Sequence, residues 1–210
     1  MDILEKLILT VPVFLLSLAV HEYMHAWAAT KLGDPTPKAM GRLTLNPIAH
    51  LDPLGSLMFV IGTVLGGFLI GWAKPVPINR IFFKNPRRDF ALVGISGPAA
   101  NFVQAVVWYA IFRSLMILPL MDNVWLGILL DFARYGVFIN IILLCFNLVP
   151  IPPLDGSRVL SWLLPALQAY SLERLEPYGF IIILMLIWTG LFGLVYHPLV
   201  SFVARSFPGI

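Results

Sequence analysis

Three ionisable side chains lie close together in an otherwise apolar segment, residues 18–29. His21 and His25 are four residues apart, so on a helix both imidazoles lie on one face and can bind one metal ion. Glu22 follows His21, and His-Glu-x-x-His is the pattern in which two histidines bind zinc and the glutamate acts as a general base toward water. Ionisable groups are costly within a bilayer, so their presence in a membrane segment indicates a functional site.

The composition places this segment in a membrane. Hydrophobic residues make up 59% of the 210 residues and charged residues only 12%, and the mean hydropathy is +0.88, far from the average of a soluble domain. The net charge of +3 does not indicate a nucleic-acid partner, because the Lys and Arg residues lie in the loops between apolar runs and serve as topology signals. The single cysteine, Cys145, excludes an intramolecular disulfide bond.

The apolar runs predict an all-α polytopic membrane protein with four to six transmembrane helices, organised as a single domain over residues 1–210. The first run contains the candidate metal ligands and lacks a basic leader, so it is not expected to be a removable signal peptide. A short helix is expected over residues 157–170. The predicted spans cover residues 7–30, 90–118, 124–149 and 178–196.

Residues 54–72 are apolar but rich in glycine, and they lie between two basic loops. Basic loops favour the cytoplasmic side of the membrane. Both loops can lie on that side only if this run enters and leaves the membrane on the same side. The sequence therefore favours a re-entrant segment over an additional span. In the flanking loops, residues 43–45 are compatible with a short strand, and the alternating prolines of residues 73–79 predict an extended edge that could accept a substrate strand.

A catalytic zinc needs a third protein ligand and one open position. Asp155 is the best candidate, because it is expected to lie on an unwound, Pro-rich segment after the span 124–149, and a carboxylate is otherwise unexplained in apolar surroundings. The other candidates are His50, Asp52, Asp131 and His197. Asp131 is expected instead to pair with Arg134, three residues further along the same helix.

One polar residue within the span 90–118 is expected to be buried. Asn101 follows the small residues of the sequence Gly-Pro-Ala-Ala, which allow two helices to approach closely. An amide at such a position should form a hydrogen bond with a neighbouring helix rather than face lipid.

Three motifs together make the chain resemble the site-2 protease family of intramembrane zinc metalloproteases, in its compact subgroup without a PDZ domain. They are His-Glu-Tyr-Met-His at residues 21–25, Gly-Pro-Ala-Ala-Asn at residues 97–101, and Asn-x-x-Pro-x-Pro-x-Leu-Asp-Gly at residues 147–156. The resemblance implies that Asp155 is the third zinc ligand. It also implies that Glu22 activates water and that Asn147 helps to hold the substrate backbone or the tetrahedral intermediate.

The resemblance further implies an active site near the cytoplasmic side and a re-entrant or β-like element in the first loop. The expected function is hydrolysis of peptide bonds in or near transmembrane segments of membrane-protein substrates, as in regulated intramembrane proteolysis. The expected partners are such a substrate and the lipid bilayer, and the expected location is the cytoplasmic membrane of a prokaryote.

The sequence disfavours two alternatives to proteolysis. A membrane scaffold with a structural or vestigial metal site is disfavoured because a structural zinc needs four ligands and no base such as Glu22. A metal transporter would carry ionisable residues along several spans, whereas residues 90–112 and 178–196 contain none.

Overall fold

A computed structural model of the chain describes residues 3–65, 72–117, 124–205 and 207–208, and within them the fold is helical with no strand. Three short 3-10 helices, Pro47–His50, Arg80–Phe82 and Glu176–Tyr178, lie between the α-helices. The α-helices are α1 (Ile3–Lys31), α2 (Thr36–Ala39), α3 (Pro53–Leu65), α4 (Pro86–Met116), α5 (Val124–Leu148), α6 (Asp155–Leu163), α7 (Ala166–Glu173), α8 (Gly179–Trp188) and α9 (Leu191–Ala204).

Three of these helices, α1, α4 and α5, are long and apolar enough to cross a membrane. They pack against one another, and α6 packs against the first half of α4. The all-helical membrane fold is thereby confirmed. A bent pair, residues 166–188 with residues 191–202, would supply a fourth span, which is the lower end of the predicted four to six.

The predicted span 178–196 is not one helix. Within it α8 ends at Trp188, and α9 begins at Leu191 after a break at which the chain bends by 84°. Gly190 adopts a φ of +75°, the left-handed conformation with which a glycine commonly ends a helix. The hydropathy of the run 178–196 does not register this glycine.

The predicted helix 157–170 is likewise two helices. The first, α6, ends at Leu163, and the second, α7, begins at Ala166 directly after Pro165. The residue before a proline is driven out of the helical region, and Leu164 accordingly has an extended ψ of 153°.

The two ends of the apolar run 54–72 lie side by side. A Cβ atom added to Gly55, in the first turn of α3, would overlap the backbone of Trp72. Leu51 and Ala73 form an isolated antiparallel β-bridge, and the amide of Lys74 donates to the carbonyl of His50 at 2.9 Å. Residues 66–71 lie outside the described residues, so the re-entrant path of the run stays a prediction.

No strand forms at residues 43–45, contrary to the expectation. Instead, the backbone carbonyl of Thr44 lies 2.8 Å from Nε2 of the His50 imidazole. The side-chain hydroxyl of Thr44 accepts a hydrogen bond from the amide of Asn46 at 3.1 Å. These local hydrogen bonds fold the segment into a loop. The β-like element of this region is the single bridge between Leu51 and Ala73.

The close packing of α4 and α5 depends on a glycine and predicts a matched pair of variants. A Cβ atom at Gly136 would overlap the indole of Trp108, whereas a Cβ at Gly127 in the same helix meets nothing within 4 Å. Gly136→Ala should lower the free energy of unfolding by about 1–3 kcal/mol, the usual cost of overpacking. Gly127→Ala should be neutral or slightly stabilising.

Thermal or denaturant unfolding of the two variants in detergent measures this difference. Equal stability of Gly136→Ala and Gly127→Ala would contradict the packing described here.

Candidate metal centre

Three side chains from two helices converge at the centre of the fold. His21 and His25 lie one turn apart on α1, and their Nε2 atoms are 3.0 Å apart. The Oδ2 atom of Asp155, from α6, lies 3.2 Å from Nε2 of His21 and 3.0 Å from Nε2 of His25. All three residues are buried, and they form the one group of possible metal ligands found among the described residues.

The second ring nitrogen of His25 identifies the tautomer of this histidine. Its Nδ1 lies 2.7 Å from the backbone carbonyl oxygen of Val93 on α4. A carbonyl oxygen can only accept a hydrogen bond, so Nδ1 must carry the proton. In the neutral ring the Nε2 atom is then left with a lone pair, directed at His21 and Asp155.

The tautomer of His21 follows from a chain of buried hydrogen bonds. Asn140 Nδ2 donates to the carbonyl of Gly136 at 2.9 Å and to Ser17 Oγ at 2.8 Å, which leaves Asn140 Oδ1 as the acceptor for Asn101 Nδ2 at 2.9 Å. Asn101 Oδ1 therefore faces His21 Nδ1, at 2.6 Å. Because that oxygen can only accept, His21 Nδ1 also carries its proton.

The arrangement fits a zinc ion. With both Nδ1 atoms protonated, two imidazole lone pairs and a carboxylate oxygen that has no hydrogen-bond partner point at one another. Such a cluster of acceptors is repulsive without a cation. A tetrahedral zinc with bonds of about 2.0–2.1 Å separates its ligand atoms by about 3.3 Å, close to the 3.0–3.2 Å found here.

A glycine on α4 makes room for the two imidazoles. A Cβ atom at Gly97 would lie 2.5 Å from Nε2 of His25 and 2.6 Å from Cε1 of His21. Any side chain here would displace the histidines, so the glycine brings α4 close enough for Val93 and Asn101 to reach both rings. The expectation that Asn101 is buried and hydrogen-bonded to its neighbours is confirmed.

Glu22 and Asn147 lie on the wall of one cavity, together with the three candidate ligands. The cavity has a volume of about 520 Å³, within the usual range for ligand sites. Glu22 is buried, and Asn147 donates one Nδ2 proton to the carbonyl of Leu143 at 2.9 Å. The rest of the wall is mostly apolar and includes Leu18, Leu54, Trp72, Val76, Ile183 and Leu184.

The other candidate ligands lie elsewhere and have other partners. His50 binds the carbonyl of Thr44 through Nε2, and Asp52 accepts the amide of Gly55 at 2.8 Å in the first turn of α3. Asp131 pairs with Arg134 at 3.8 Å, as predicted. His197 contacts the ring of Tyr196 in α9.

Asp155 is the first residue of the helix α6. The expectation that it lies on the unwound Pro-rich segment is therefore wrong. The non-helical segment ends at Leu154, which has an extended ψ of 151°. The prolines interrupt the chain after α5, and the new helix then directs Asp155 toward α1. Arg158, one turn along α6, lies 3.1 Å from Asp155 Oδ1.

Sequence reasoning missed four groups around the site. Asn140 had a usable signal, because it is a polar residue in an apolar helix, the same argument that identified Asn101. Arg158 also had a usable signal, because it follows the candidate ligand Asp155 by three residues, the spacing of an ion pair on a helix. Ser17 is an ordinary small polar residue, and the carbonyl of Val93 has no side-chain signature.

The fold and the site together define a class: a polytopic helical membrane protein with a buried His-His-Asp group that could hold a metal ion beside a glutamate. The sequence profile described as peptidase family M50 matches residues 9–124 and 114–189. The chain therefore belongs to peptidase family M50, the site-2 protease family, and the predicted resemblance is confirmed.

Curated relatives carry names of the same kind. The chain is 39% identical over 194 residues to "Putative zinc metalloprotease YwhC" of Bacillus subtilis, covering 89% of this chain and 83% of the relative. It is 34% identical over 186 residues to "Putative zinc metalloprotease Rip2" of Mycolicibacterium smegmatis, covering 87% of this chain and 67% of the relative. No solved structure matches the chain significantly.

The hydrogen bond from His21 to Asn101 predicts a loss of metal affinity when the amide is removed. Asn101→Ala should weaken Zn²⁺ binding by about 10–100-fold, because the ring loses the acceptor that sets its tautomer and orientation. The control is Gln104→Ala on the same helix, whose side chain reaches only the carbonyl of Ser17 at 3.4 Å.

Competition with a chelating indicator in detergent measures both affinities. Unchanged affinity in Asn101→Ala would show that this amide does not orient the ligand.

Proposed function

We propose that this protein is an intramembrane zinc metalloprotease that hydrolyses peptide bonds in or near transmembrane segments of membrane proteins. The proposal is carried by one observation: the His-His-Asp group and Glu22 face a largely apolar cavity next to a helix long enough to cross a membrane. Membership of peptidase family M50 and the names of the relatives support the same reaction. Residues 1–210 would form a single domain for this purpose.

His21, His25 and Asp155 would hold the zinc through Nε2, Nε2 and Oδ2. Three protein ligands leave one position open, the arrangement of catalytic rather than structural zinc sites. Zinc in such a site acts as a Lewis acid that polarises a carbonyl group and lowers the pKa of water.

Glu22 is the proposed general base. It lies beside His21 on the cavity wall and is buried, so its carboxylate is shielded from bulk water. In the proposed reaction it accepts the proton of the attacking water and delivers it to the nitrogen of the leaving amine.

Asn147 is proposed to hold the substrate backbone or the tetrahedral intermediate. One Nδ2 proton is bound to the carbonyl of Leu143, and this bond orients the amide. The second Nδ2 proton and Oδ1 then remain for a peptide group in the cavity.

The extended residues 73–79 are proposed to hold the unwound substrate as an added strand. At one end, the amide of Lys74 donates to the carbonyl of His50, and the carbonyl of Lys74 accepts from the guanidinium of Arg42. At the other end, the amide of Asn79 donates to Asp34 Oδ2 at 2.7 Å. The segment is thus anchored near both ends, while Val76 and Ile78 between the anchors line the cavity.

The proposed location is the cytoplasmic membrane of a prokaryote, with the site nearer the cytoplasmic side. The metal group lies in the half of α1 that ends at Lys31, and basic residues follow in the loops at 31–53 and 74–88. Such loops favour the cytoplasmic face. The relatives come from bacteria and from an archaeon.

Replacing the proposed base tests the reaction. Glu22→Gln keeps the shape of the side chain but cannot accept a proton, so cleavage of a model transmembrane peptide should slow by about 10²–10⁴-fold. Zinc content should stay at the wild-type level, because Glu22 is not among the proposed ligands. The control is Glu176→Gln, an exposed glutamate outside the cavity.

Peptide cleavage in proteoliposomes and zinc content by elemental analysis are measured on the same samples. Wild-type cleavage by Glu22→Gln would refute the role of the glutamate. A zinc-loaded wild type that cleaves no transmembrane peptide would favour a non-proteolytic scaffold.

A further inference from the structure

The two carboxylate oxygens of Asp155 have different surroundings. Oδ2 faces the Nε2 atoms of both histidines, at 3.2 and 3.0 Å. Oδ1 lies 3.1 Å from Nη1 of Arg158, in an ion pair within one turn of α6. One oxygen is therefore available to a metal, while the other is already engaged by a cation.

The Arg158 side chain is held in place from two further directions. Its guanidinium lies over the ring of Phe90, with Cζ 4.9 Å from the centroid, a favourable cation–π arrangement. A Cβ atom at Gly94 would lie 3.0 Å from Cβ and 3.1 Å from Cδ of Arg158. The bare backbone at Gly94 thus leaves space for the arginine stem against α4, and the side chain is only 20% exposed.

The position of α6 does not depend on Arg158 alone. At the other end of this helix, Arg87 on α4 donates to the carbonyls of Ser161 at 2.7 Å and Leu164 at 2.5 Å. These bonds fix the end of α6 against the start of α4. The placement of α6 is therefore supported independently of Arg158.

We propose that Arg158 is a positioning residue that engages Oδ1 of Asp155, so that the carboxylate presents Oδ2 alone to the metal. This inference rests on the proposed metal site. A carboxylate can bind a metal through one oxygen or through both, and with both it would occupy the position that the reaction needs open. The charge of Arg158 also draws electron density from the carboxylate, which keeps the bound metal a stronger Lewis acid.

Cobalt(II) in place of zinc reports the number of ligands. Its visible absorption bands are intense when the ion has four ligands and become weaker when it has five. The wild-type protein, purified whole in detergent and stripped of metal, should bind one Co²⁺ and give the intense bands of four-coordinate cobalt. Arg158→Gln should bind Co²⁺ with clearly weaker bands, since Oδ1 is then free to bind.

Arg158→Met provides a second version of the test, because its apolar stem can still pack on Phe90 and against Gly94. It should show the same weakening as Arg158→Gln, so the test can still be made if one of the two variants does not fold. Arg80→Gln is the matched control: Arg80 lies over the same ring, at 3.6 Å, but pairs with Glu173 at 2.9 Å. Its cobalt spectrum should equal that of the wild type.

Wild-type spectra in the folded Arg158 variants would overturn this inference while leaving the metal site and the proposed protease intact. A wild-type protein that binds no Co²⁺ and no Zn²⁺ would instead overturn the metal site, and the inference with it. Peptide cleavage is not needed for either conclusion.

Discussion

Two hydrogen bonds that the imidazole Nδ1 atoms of His21 and His25 donate determine what the centre of this protein can do. The carbonyl of Val93 and the amide oxygen of Asn101 are both pure acceptors, so both rings carry their protons on the outer nitrogen. The Nε2 atoms of the two neutral rings then carry no proton, and they lie 3.0–3.2 Å from each other and from Asp155 Oδ2. A metal cation would relieve the repulsion between these acceptors, and the network is the means by which the protein would specify the proposed metal site.

That network explains the packing of the three long helices. Ser17, His21 and His25 lie on α1, Val93 and Asn101 on α4, and Asn140 on α5, and each of these helices forms a side-chain hydrogen bond with another of them. Gly97 and Gly136 allow the backbones to approach closely enough for these contacts. Because polar groups in a bilayer must find partners within the protein, the hydrogen bonds that orient the two candidate histidine ligands also help to fix the register of the helices.

The sequence predicted most of this centre because its signals are strong in an apolar background. His21, His25 and Asp155 were identified by spacing and by the cost of burying charge, and Asn101 by the same cost. The exact path of the chain was harder. Hydropathy does not register a left-handed Gly190 or a helix break at Pro165, and local side-chain bonds of Thr44 replaced the strand expected at residues 43–45. The acceptor at Val93 is a backbone atom, which no residue type reveals.

The central claim is that His21, His25 and Asp155 bind one zinc ion, and zinc content measures it most directly. We predict one zinc per chain in the wild-type protein purified in detergent and a loss of zinc in Asp155→Ala. Asp131→Ala, which removes the partner of the exposed Arg134, should retain the metal. Full zinc content in Asp155→Ala, or a folded wild-type protein that binds no zinc even when zinc is supplied, would contradict the account.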